Sequence, residues 1–311
     1  MGDAPVIVLA GPTASGKSSL AMDVADALDG TVINADSMQV YADLCVLTAR
    51  PGETDEARVP HRLYGYRDAT EMASAADWAD DAKLAIVETR AAGRRPVLVG
   101  GTGLYLKALM EGIAPIPAVP TEIRTIARAR HREIGSDAFH AELVQRDPVI
   151  AVRLNVGDSQ RVIRAWEVFE ATGRPLSDWQ NDPVPPVGLD FRVVALMPER
   201  EGLYANCETR FQQMLDQGAL DEVATLSDRA KREGLDPALP IFKALGYPAL
   251  AAHLKGEMSR DAAVAKSQQQ TRNYAKRQMT WLQHQLPDAN AETPVLKQSY
   301  PNQDEIFSFL S

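Results

Sequence analysis

Gly11-Pro12-Thr13-Ala14-Ser15-Gly16-Lys17-Ser18 is the stretch of sequence that decides the predicted fold. It fits the phosphate-binding pattern GxxxxGK[ST] at every position, directly after the apolar residues 6–10 and just before an amphipathic helix pattern at residues 18–28. A strand, a glycine loop and a helix are the context that this motif requires. We therefore predict a phosphate-binding loop, called the P-loop below, between a first strand and a first helix.

The P-loop predicts a site for a diphosphate or triphosphate. Gly11 and Gly16 let the backbone turn tightly, so that its N–H groups face phosphate oxygens at the positive end of a helix. Lys17 adds a full cation, and the hydroxyl of Ser18 is a candidate ligand for a bridging Mg²⁺ ion. The motif occurs in proteins that transfer, hydrolyse or expel phosphate, so it does not identify the reaction. A glycine-rich turn that binds no ligand is the alternative.

Length and composition predict one large globular domain with a smaller one, since the chain has 311 residues of which 45% are hydrophobic. No apolar run approaches the ~20 residues of a membrane span, and the first strand starts too early for a secretory signal. Two cysteines, Cys45 and Cys207, are too few for a disulfide framework or a cysteine metal cluster. We expect no membrane partner and a cytoplasmic location.

The formal net charge of −9 argues at first against a nucleic-acid partner, because phosphate neutralisation dominates such binding. Residues 262–286 reverse this sign, since they contain four Lys and Arg residues and no Asp or Glu. The cations are Lys266, Arg272, Lys276 and Arg277. A basic helix of this kind, with aromatic residues between the charges, is typical of a surface that binds nucleic acid.

Polar residues follow two further predicted strands. Asp36 comes just after an apolar strand pattern at residues 31–34, and Thr102 lies in the glycine turn that follows a strand pattern at residues 96–99. The carboxyl ends of parallel strands share one edge of a sheet, so both side chains are expected near the P-loop. Asp36 could serve as a metal-binding carboxylate or as a general base, and a simple backbone cap is the third possibility.

The remaining patterns predict an α/β fold, a P-loop NTPase-like parallel sheet flanked by helices, with an inserted all-helical subdomain. Residues 118–185 show long helical patterns and no convincing strand, whereas residues 191–196 read as another core strand. We predict a catalytic core at residues 1–117 and 186–290, the insertion at 118–185, and a tail at 291–311 without an assigned structure. Arg210, in a predicted helix, is a candidate to reach bound phosphate; a surface ion pair is the alternative.

Several motifs occur together in an order that resembles one family. They are GPTASGKS at residues 11–18, DSMQVY at 36–41, a Pro-His pair at 60–61, VGGTGLYLKAL at 99–109, SQRVIRAWEV at 159–168, RFQQML at 210–215, ALGY at 244–247 and TRNYAKRQMTWL at 271–282. The P-loop alone fits many proteins, but DSMQVY, GGTGLY and YAKRQ at these separations are similar to the tRNA dimethylallyltransferases, also called tRNA isopentenyltransferases. The resemblance covers roughly residues 5–286.

The resemblance implies a reaction. The family transfers the five-carbon group of dimethylallyl diphosphate to the exocyclic amine of adenosine at tRNA position 37, next to the anticodon. It implies that Asp36 is the general base, that Thr102 is a catalytic-site residue, and that Lys17 stabilises the leaving diphosphate. The P-loop residues Gly11, Pro12, Thr13, Ala14, Ser15, Gly16, Lys17 and Ser18 would bind it, with Arg210 and with Mg²⁺ at Ser18. Nothing in the sequence demands more than a monomer.

The resemblance also implies tRNA contacts in the core, the insertion and the basic helix, so that a folded RNA explains the local positive charge. The matching residues are Asp36, Ser37, Met38, Gln39, Thr102, Arg124, Gln160, Arg161, Val162, Ile163, Arg164, Lys243, Ala244, Leu245, Gly246, Tyr247, Pro248, Lys276, Arg277, Gln278, Met279, Thr280, Trp281, Leu282 and Gln283.

Three other functions share parts of this pattern. A small-molecule or nucleotide kinase also has a P-loop at the start of a parallel sheet, but the core shows no arginine-rich phosphate lid. An isopentenyltransferase for free adenine nucleotides would have little use for residues 118–185 and the basic helix. A GTPase-like RNA-binding module would carry an Asn-Lys-x-Asp signal for guanine, and the sequence has none.

Overall fold

The computed structural model describes residues 4–182, 188–286 and 293–310, and its centre is a six-stranded sheet. The strands follow the order β3-β2-β4-β1-β5-β6, and all neighbouring pairs are parallel. They are β1 Val6–Ala10, β2 Gly30–Asn34, β3 His61–Arg62, β4 Arg95–Gly100, β5 Phe191–Leu196 and β6 Val295–Gln298. The predicted α/β fold is confirmed.

The helices of the described residues are α1 Lys17–Ala27, α2 Glu53–Arg58, α3 Ala75–Ala91, α4 Gly103–Met110, α5 Thr121–Arg146, α6 Pro148–Arg153, α7 Ser159–Thr172, α8 Leu176–Gln180, α9 Arg200–Asp216, α10 Ala219–Glu233, α11 Tyr247–Leu254, α12 Arg260–Gln285 and α13 Gln303–Leu310. A short 3₁₀ helix spans Pro240–Lys243. Within the described ranges, no helix is both long and apolar enough to cross a membrane.

Alternate residues of β1 pack into different hydrophobic clusters, which explains why the strand is apolar throughout. Val6 and Val8 belong to the cluster that contains residues of α3 and α4, whereas Ile7 and Leu9 belong to the cluster that contains residues of α1 and α13. A strand buried on both faces needs an apolar residue at every position. The central place of β1 fixes the P-loop at the carboxyl edge of the sheet.

The chain forms two compact units, Met1–Met110 with Gly188–Ser311, and Glu111–Val187. The first junction therefore lies before the predicted boundary at residue 118, while the predicted boundaries at 185–186 and 290–291 lie outside the described residues. In its described part the second unit is helical, as the patterns in residues 118–185 predicted, and α5 is broken at Gly135, whose φ is 78°. The side chain of Asp147 is completely buried there and accepts hydrogen bonds from Ile150 and Ser177.

Short elements were missed in the sequence. Residues 50–68 contain α2 and β3, and the tail, for which no structure was predicted, contributes β6 and α13 to the first unit. β6 pairs with β5, and Ile306 and Leu310 of α13 are fully buried against the sheet. β6 has only four residues, two of which are charged or polar, so its sequence pattern is weak evidence for a strand. Its conformation is set by pairing with β5.

Candidate active site

The P-loop joins β1 to α1 and presents the first turn of the helix to a pocket. Gly16 caps α1 with a φ of 84°, a left-handed conformation that favours glycine. Lys17 follows as the first helical residue, and its buried side chain donates a hydrogen bond from Nζ to the carbonyl of Pro12 at 3.1 Å. The loop therefore holds the ammonium group in place before any ligand binds.

A pocket of about 460 Å³ lies between the P-loop and α9. Arg210 of α9 reaches the loop, where its Nη1 donates to Thr13 Oγ1 at 3.4 Å. None of the described residues that line the pocket is a carboxylate. They are Ala14, Ser15, Gly16, Lys17, Ser18, Ser19, Ala49, Asn206, Thr209, Arg210 and Gln213. In the structure, Arg210 therefore faces the P-loop rather than a carboxylate of this pocket.

The pocket concentrates positive charge that the protein itself compensates only weakly. Burial, and secondarily the guanidinium of Arg210, lower the pKa of Lys17 to about 8. Burial also lowers the pKa of Arg210, and the charge of Asp36 opposes both shifts. The buried Oγ of Ser15 has no hydrogen-bond partner among the described residues. Two desolvated cations and an unpaired hydroxyl fit a phosphate-bearing anion.

Asp36 is held at the end of β2 by the side chain of Asn34, which is completely buried. Asn34 Oδ1 accepts the backbone N–H of Asp36 at 2.8 Å, and its Nδ2 donates to the carbonyls of Asp36 and Leu63, both at 3.0 Å. The Oδ1 of Asp36 accepts the N–H of Met38 at 2.9 Å. Oδ1 of Asp36 thus caps a turn, which is the simple backbone cap given above as the third possibility. Its Oδ2 has no hydrogen bond within the described part of the chain.

Thr102 lies beside Asp36, as the strand pattern predicted. Its Oγ1 accepts the N–H of Ser37 at 3.0 Å, and its own N–H donates to the carbonyl of Ala35 at 3.4 Å. The turn can approach this closely because a side chain at Gly100 would collide with the backbone of Ala35. Burial, followed by the charge of Asp36, raises the pKa of Tyr274 to about 12, while the side chain of Thr102 acts on this pKa in the opposite direction.

The hydroxyl of Ser18 fits a magnesium ion that is held mainly by phosphate oxygens of a bound molecule and by water. Ser18 is exposed and lines the pocket, and the described residues contain no group of three His, Cys, Asp or Glu side chains that could hold a metal. Mg²⁺ in phosphate sites keeps most of its ligands as water and phosphate oxygens, with one or two from the protein. A single hydroxyl beside the phosphate pocket meets that requirement.

The predicted RNA-contacting residues of the first unit divide between surface and interior. In α12, Lys276, Arg277, Thr280 and Gln283 are exposed, whereas Gln278 and Leu282 are buried and Met279 and Trp281 are partly buried. Around the start of α11, Lys243 and Pro248 are exposed, Leu245 is partly buried, and Ala244, Gly246 and Tyr247 are buried.

Two polar side chains, one from the basic segment and one from the predicted RNA contacts, already have partners within the first unit. Arg272 of the basic segment pairs with Glu208 at 2.6 Å, which offsets part of the local positive charge. The side chain of Gln39 donates to the carbonyls of Thr48 and Ala49, both at 2.9 Å, and so braces the loop beside the pocket.

In the second unit, the start of α7 presents the predicted residues on two faces. Gln160 and Arg161 are exposed, Ile163 and Arg164 are partly buried, and Val162 lies in the core of this unit. Asp158 caps the helix by accepting the N–H of Arg161 at 3.3 Å. Arg124 of α5 is partly buried, and its charge acts on the pKa values of Arg164 and Glu167, so these side chains form one charged cluster.

The sequence did not reveal Asn34, Asn206 and Thr209 as site residues. Asn34 looked like the last residue of a strand, and its role depends on the loop at Leu63. Asn206 and Thr209 share the pocket-facing side of α9 with Arg210. The helical spacing around Arg210 was the available signal, because residues three or four apart on a helix lie on the same face.

A parallel sheet with a P-loop and a cationic pocket defines a P-loop α/β protein whose pocket is suited to an anionic ligand. The model of the IPP transferase family matches residues 39–285. The tRNA dimethylallyltransferase of Rhodospirillum centenum is 54% identical over 292 residues, which cover 93% of this chain and 92% of that protein. That of Rhodopseudomonas palustris strain BisB18 is 53% identical over 284 residues, 91% of this chain and 89% of that protein.

Solved structures agree with these relatives. The tRNA isopentenylpyrophosphate transferase of Bacillus halodurans superposes with a TM-score of 0.65 at 30% identity, over 99% of this chain and 95% of that one. A eukaryotic dimethylallyltransferase acting on tRNA superposes with a TM-score of 0.78 at 27% identity, over 95% of this chain and 74% of that one. The chain belongs to the IPP transferase family, and the resemblance drawn from its motifs is confirmed.

Proposed function

We propose that this protein transfers the dimethylallyl group of dimethylallyl diphosphate to the exocyclic amine of an adenosine in tRNA, next to the anticodon. The observation that carries the proposal is the pocket in which Lys17 and Arg210 lie desolvated, within electrostatic reach of the Asp36 carboxylate. The curated relatives are tRNA dimethylallyltransferases, and a solved relative acts on tRNA.

The P-loop pocket is the proposed site of the diphosphate. Its anionic oxygens would supply the negative charge that the pocket lining does not give Lys17 and Arg210, and a partner for the Ser15 hydroxyl. As the bond between the allylic carbon and the diphosphate oxygen breaks, negative charge grows on that oxygen, and fixed cations and N–H groups stabilise it without reorganising. A Mg²⁺ ion held by Ser18 and by diphosphate oxygens would add further charge to this site.

Asp36 is the proposed general base. The exocyclic nitrogen of adenine attacks the allylic carbon, the C–N bond forms as the C–O bond breaks, diphosphate leaves, and the displaced N–H proton passes to Asp36. Oδ1 is held by the N–H of Met38, so Oδ2 is the oxygen that would accept this proton. Thr102 binds the N–H of Ser37, the residue after Asp36, and Tyr274 lies within electrostatic reach of the Asp36 carboxylate.

We propose that the anticodon stem-loop binds through exposed residues of the predicted set, such as Lys276 and Arg277 in α12 and Arg161 in α7. The target base has to leave its stack to reach Asp36, at a cost of a few kcal/mol that stacking and base contacts recover. We also propose a monomer, since the P-loop, Asp36 and Thr102 all lie in the first unit of the chain. We propose a cytoplasmic location, because the substrate would be tRNA and the protein's two cysteines, Cys45 and Cys207, are free.

The proposal is tested with purified protein, Mg²⁺, isotope-labelled dimethylallyl diphosphate and unmodified tRNA, with AMP and ATP as rival acceptors. We expect label in tRNA at the adenosine next to the anticodon, and its loss when EDTA removes the metal. Label in AMP or ATP would assign the protein to free nucleotides instead. Transfer of the γ-phosphate of ATP to a small molecule, without transfer of a prenyl group, would establish the kinase alternative.

A further inference from the structure

Gln278 of α12 connects two loops of the candidate site. Its Oε1 accepts the backbone N–H of Thr13 in the P-loop at 2.8 Å, and its Nε2 donates to the carbonyl of Gly101 at 2.8 Å. The side chain is only 5% exposed. An N–H group can bond only to the amide oxygen and a carbonyl only to the amide nitrogen, so the partners fix the orientation of the amide. Both ends of Gln278 are therefore committed inside the protein.

The glycine turn at residues 100–103 is shaped to receive α12. A side chain at Gly101 would collide with the amide of Gln278 and with the carbonyl of Gly11, and one at Gly103 would collide with the indole of Trp281. Glycine at these two positions lets the helix backbone approach closely enough for Gln278 to reach both loops. The contact is thus built from α12, the P-loop and the turn that carries Thr102.

We infer that Gln278 is a positioning residue for the prenyl donor, although it belongs to a segment expected to contact RNA. Through Thr13 it fixes the part of the P-loop that Arg210 also contacts, and through Gly101 it fixes the residue before Thr102. Gln278 thereby fixes the position of the diphosphate pocket relative to Thr102, on the side of the site where the acceptor base would bind. This inference rests on the proposed function for its substrates, and on the hydrogen bonds alone for its effect on the P-loop.

The test replaces Gln278 by methionine, which has a similar length and can make neither bond. Gln278→Met is expected to raise the Kd for inorganic pyrophosphate with Mg²⁺, measured by calorimetry, about ten-fold, the equivalent of about 1.4 kcal/mol. The KM for dimethylallyl diphosphate rises in parallel, while the KM for tRNA stays within about two-fold. Gln269→Met is the matched control, because Gln269 is exposed on the same helix and lies outside the predicted RNA-contacting residues.

A second variant keeps the inference testable if Gln278→Met does not fold. Gln278→Glu keeps the acceptor for Thr13, loses the donor to Gly101 and adds a negative charge beside the pocket, so it is expected to weaken pyrophosphate binding at least as much. A raised KM for tRNA with an unchanged Kd for pyrophosphate, in whichever variant folds, would overturn the inference. Wild-type protein that transfers no prenyl group, but whose pyrophosphate binding still depends on Gln278, would refute the proposed function and keep the inference.

Discussion

At the residue scale, the proposed chemistry depends on how Asn34 and Met38 hold Asp36. The two neighbours fix the backbone and one carboxylate oxygen, so Oδ2 has a defined place from which to accept a proton. General bases contribute roughly 10²- to 10⁴-fold to rate. Asp36→Asn keeps the shape and an Oδ1 acceptor for Met38, and removes only the basicity.

We therefore expect Asp36→Asn to lower kcat by about 100-fold or more while the KM for dimethylallyl diphosphate changes little, since Asp36 does not line the diphosphate pocket. Single-turnover transfer of labelled prenyl group to tRNA measures the effect. Asp80→Asn, the same change at an exposed position of α3 outside the predicted site, is the control. A variant that retains more than a fifth of the wild-type rate would exclude Asp36 as the base.

Arg210 is proposed to bind the diphosphate, a role that can be separated from that of Asp36. Hydrogen bonds to charged groups are worth about 1.5–3 kcal/mol, which corresponds to roughly 10- to 150-fold in affinity. We expect Arg210→Met to raise the Kd for pyrophosphate within that range, as calorimetry would measure. Arg200→Met, at the exposed start of the same helix, should leave it unchanged. Equal affinities of wild type and Arg210→Met for pyrophosphate would show that Arg210 does not contribute to diphosphate binding.

At the scale of elements, α10 anchors the loop beside the pocket through Glu222. Its carboxylate accepts the backbone N–H groups of Cys45, Val46 and Leu47 at 2.8, 2.8 and 2.9 Å. The loop then leads to Ala49, which lines the phosphate pocket. One carboxylate thus satisfies three consecutive N–H groups that would otherwise face no partner in the turn.

Glu222→Gln should lower the free energy of unfolding by about 1–3 kcal/mol, because a neutral amide accepts these N–H groups less strongly and brings an NH₂ group toward them. Urea denaturation followed by circular dichroism gives the value. Glu201→Gln, on the exposed side of α9, is expected to change it by less than about 0.5 kcal/mol. Similar stabilities of the two variants would contradict an anchoring role for Glu222.

These contacts also separate what the sequence could predict from what it could not. β1, α1, β4 and α4 follow from apolar runs and glycine turns, which are local, and so do Lys17 and Ser18 of the P-loop. The bonds of Gln278 and Glu222 join residues more than 170 positions apart, and no local pattern encodes them. β3 and β6 were missed for the same reason, since pairing within the sheet creates them.

At the scale of the whole molecule, an acidic protein has to bind RNA through local positive charge. The formal net charge is −9, and Arg272 in the basic helix is already paired with Glu208. The second unit contributes its own cations, among them Arg161, whose side chain is 75% exposed and faces Asp158 at 3.4 Å. Such an exposed ion pair contributes little to stability, so the charge of Arg161 can serve a phosphate instead.

Arg161→Ala is therefore expected to raise the KM for tRNA several-fold and to reduce the slope of log affinity against log salt concentration by about one, as for the loss of one phosphate contact. The Kd for pyrophosphate should not change, because Arg161 belongs to the second unit and the phosphate pocket to the first. Arg132→Ala, an equal charge change at an exposed position of the same unit outside the predicted set, is the control. Identical salt slopes for the two variants would show that Arg161 acts only through the net charge of the protein, and the second unit would then lose its role in recognising RNA at this position.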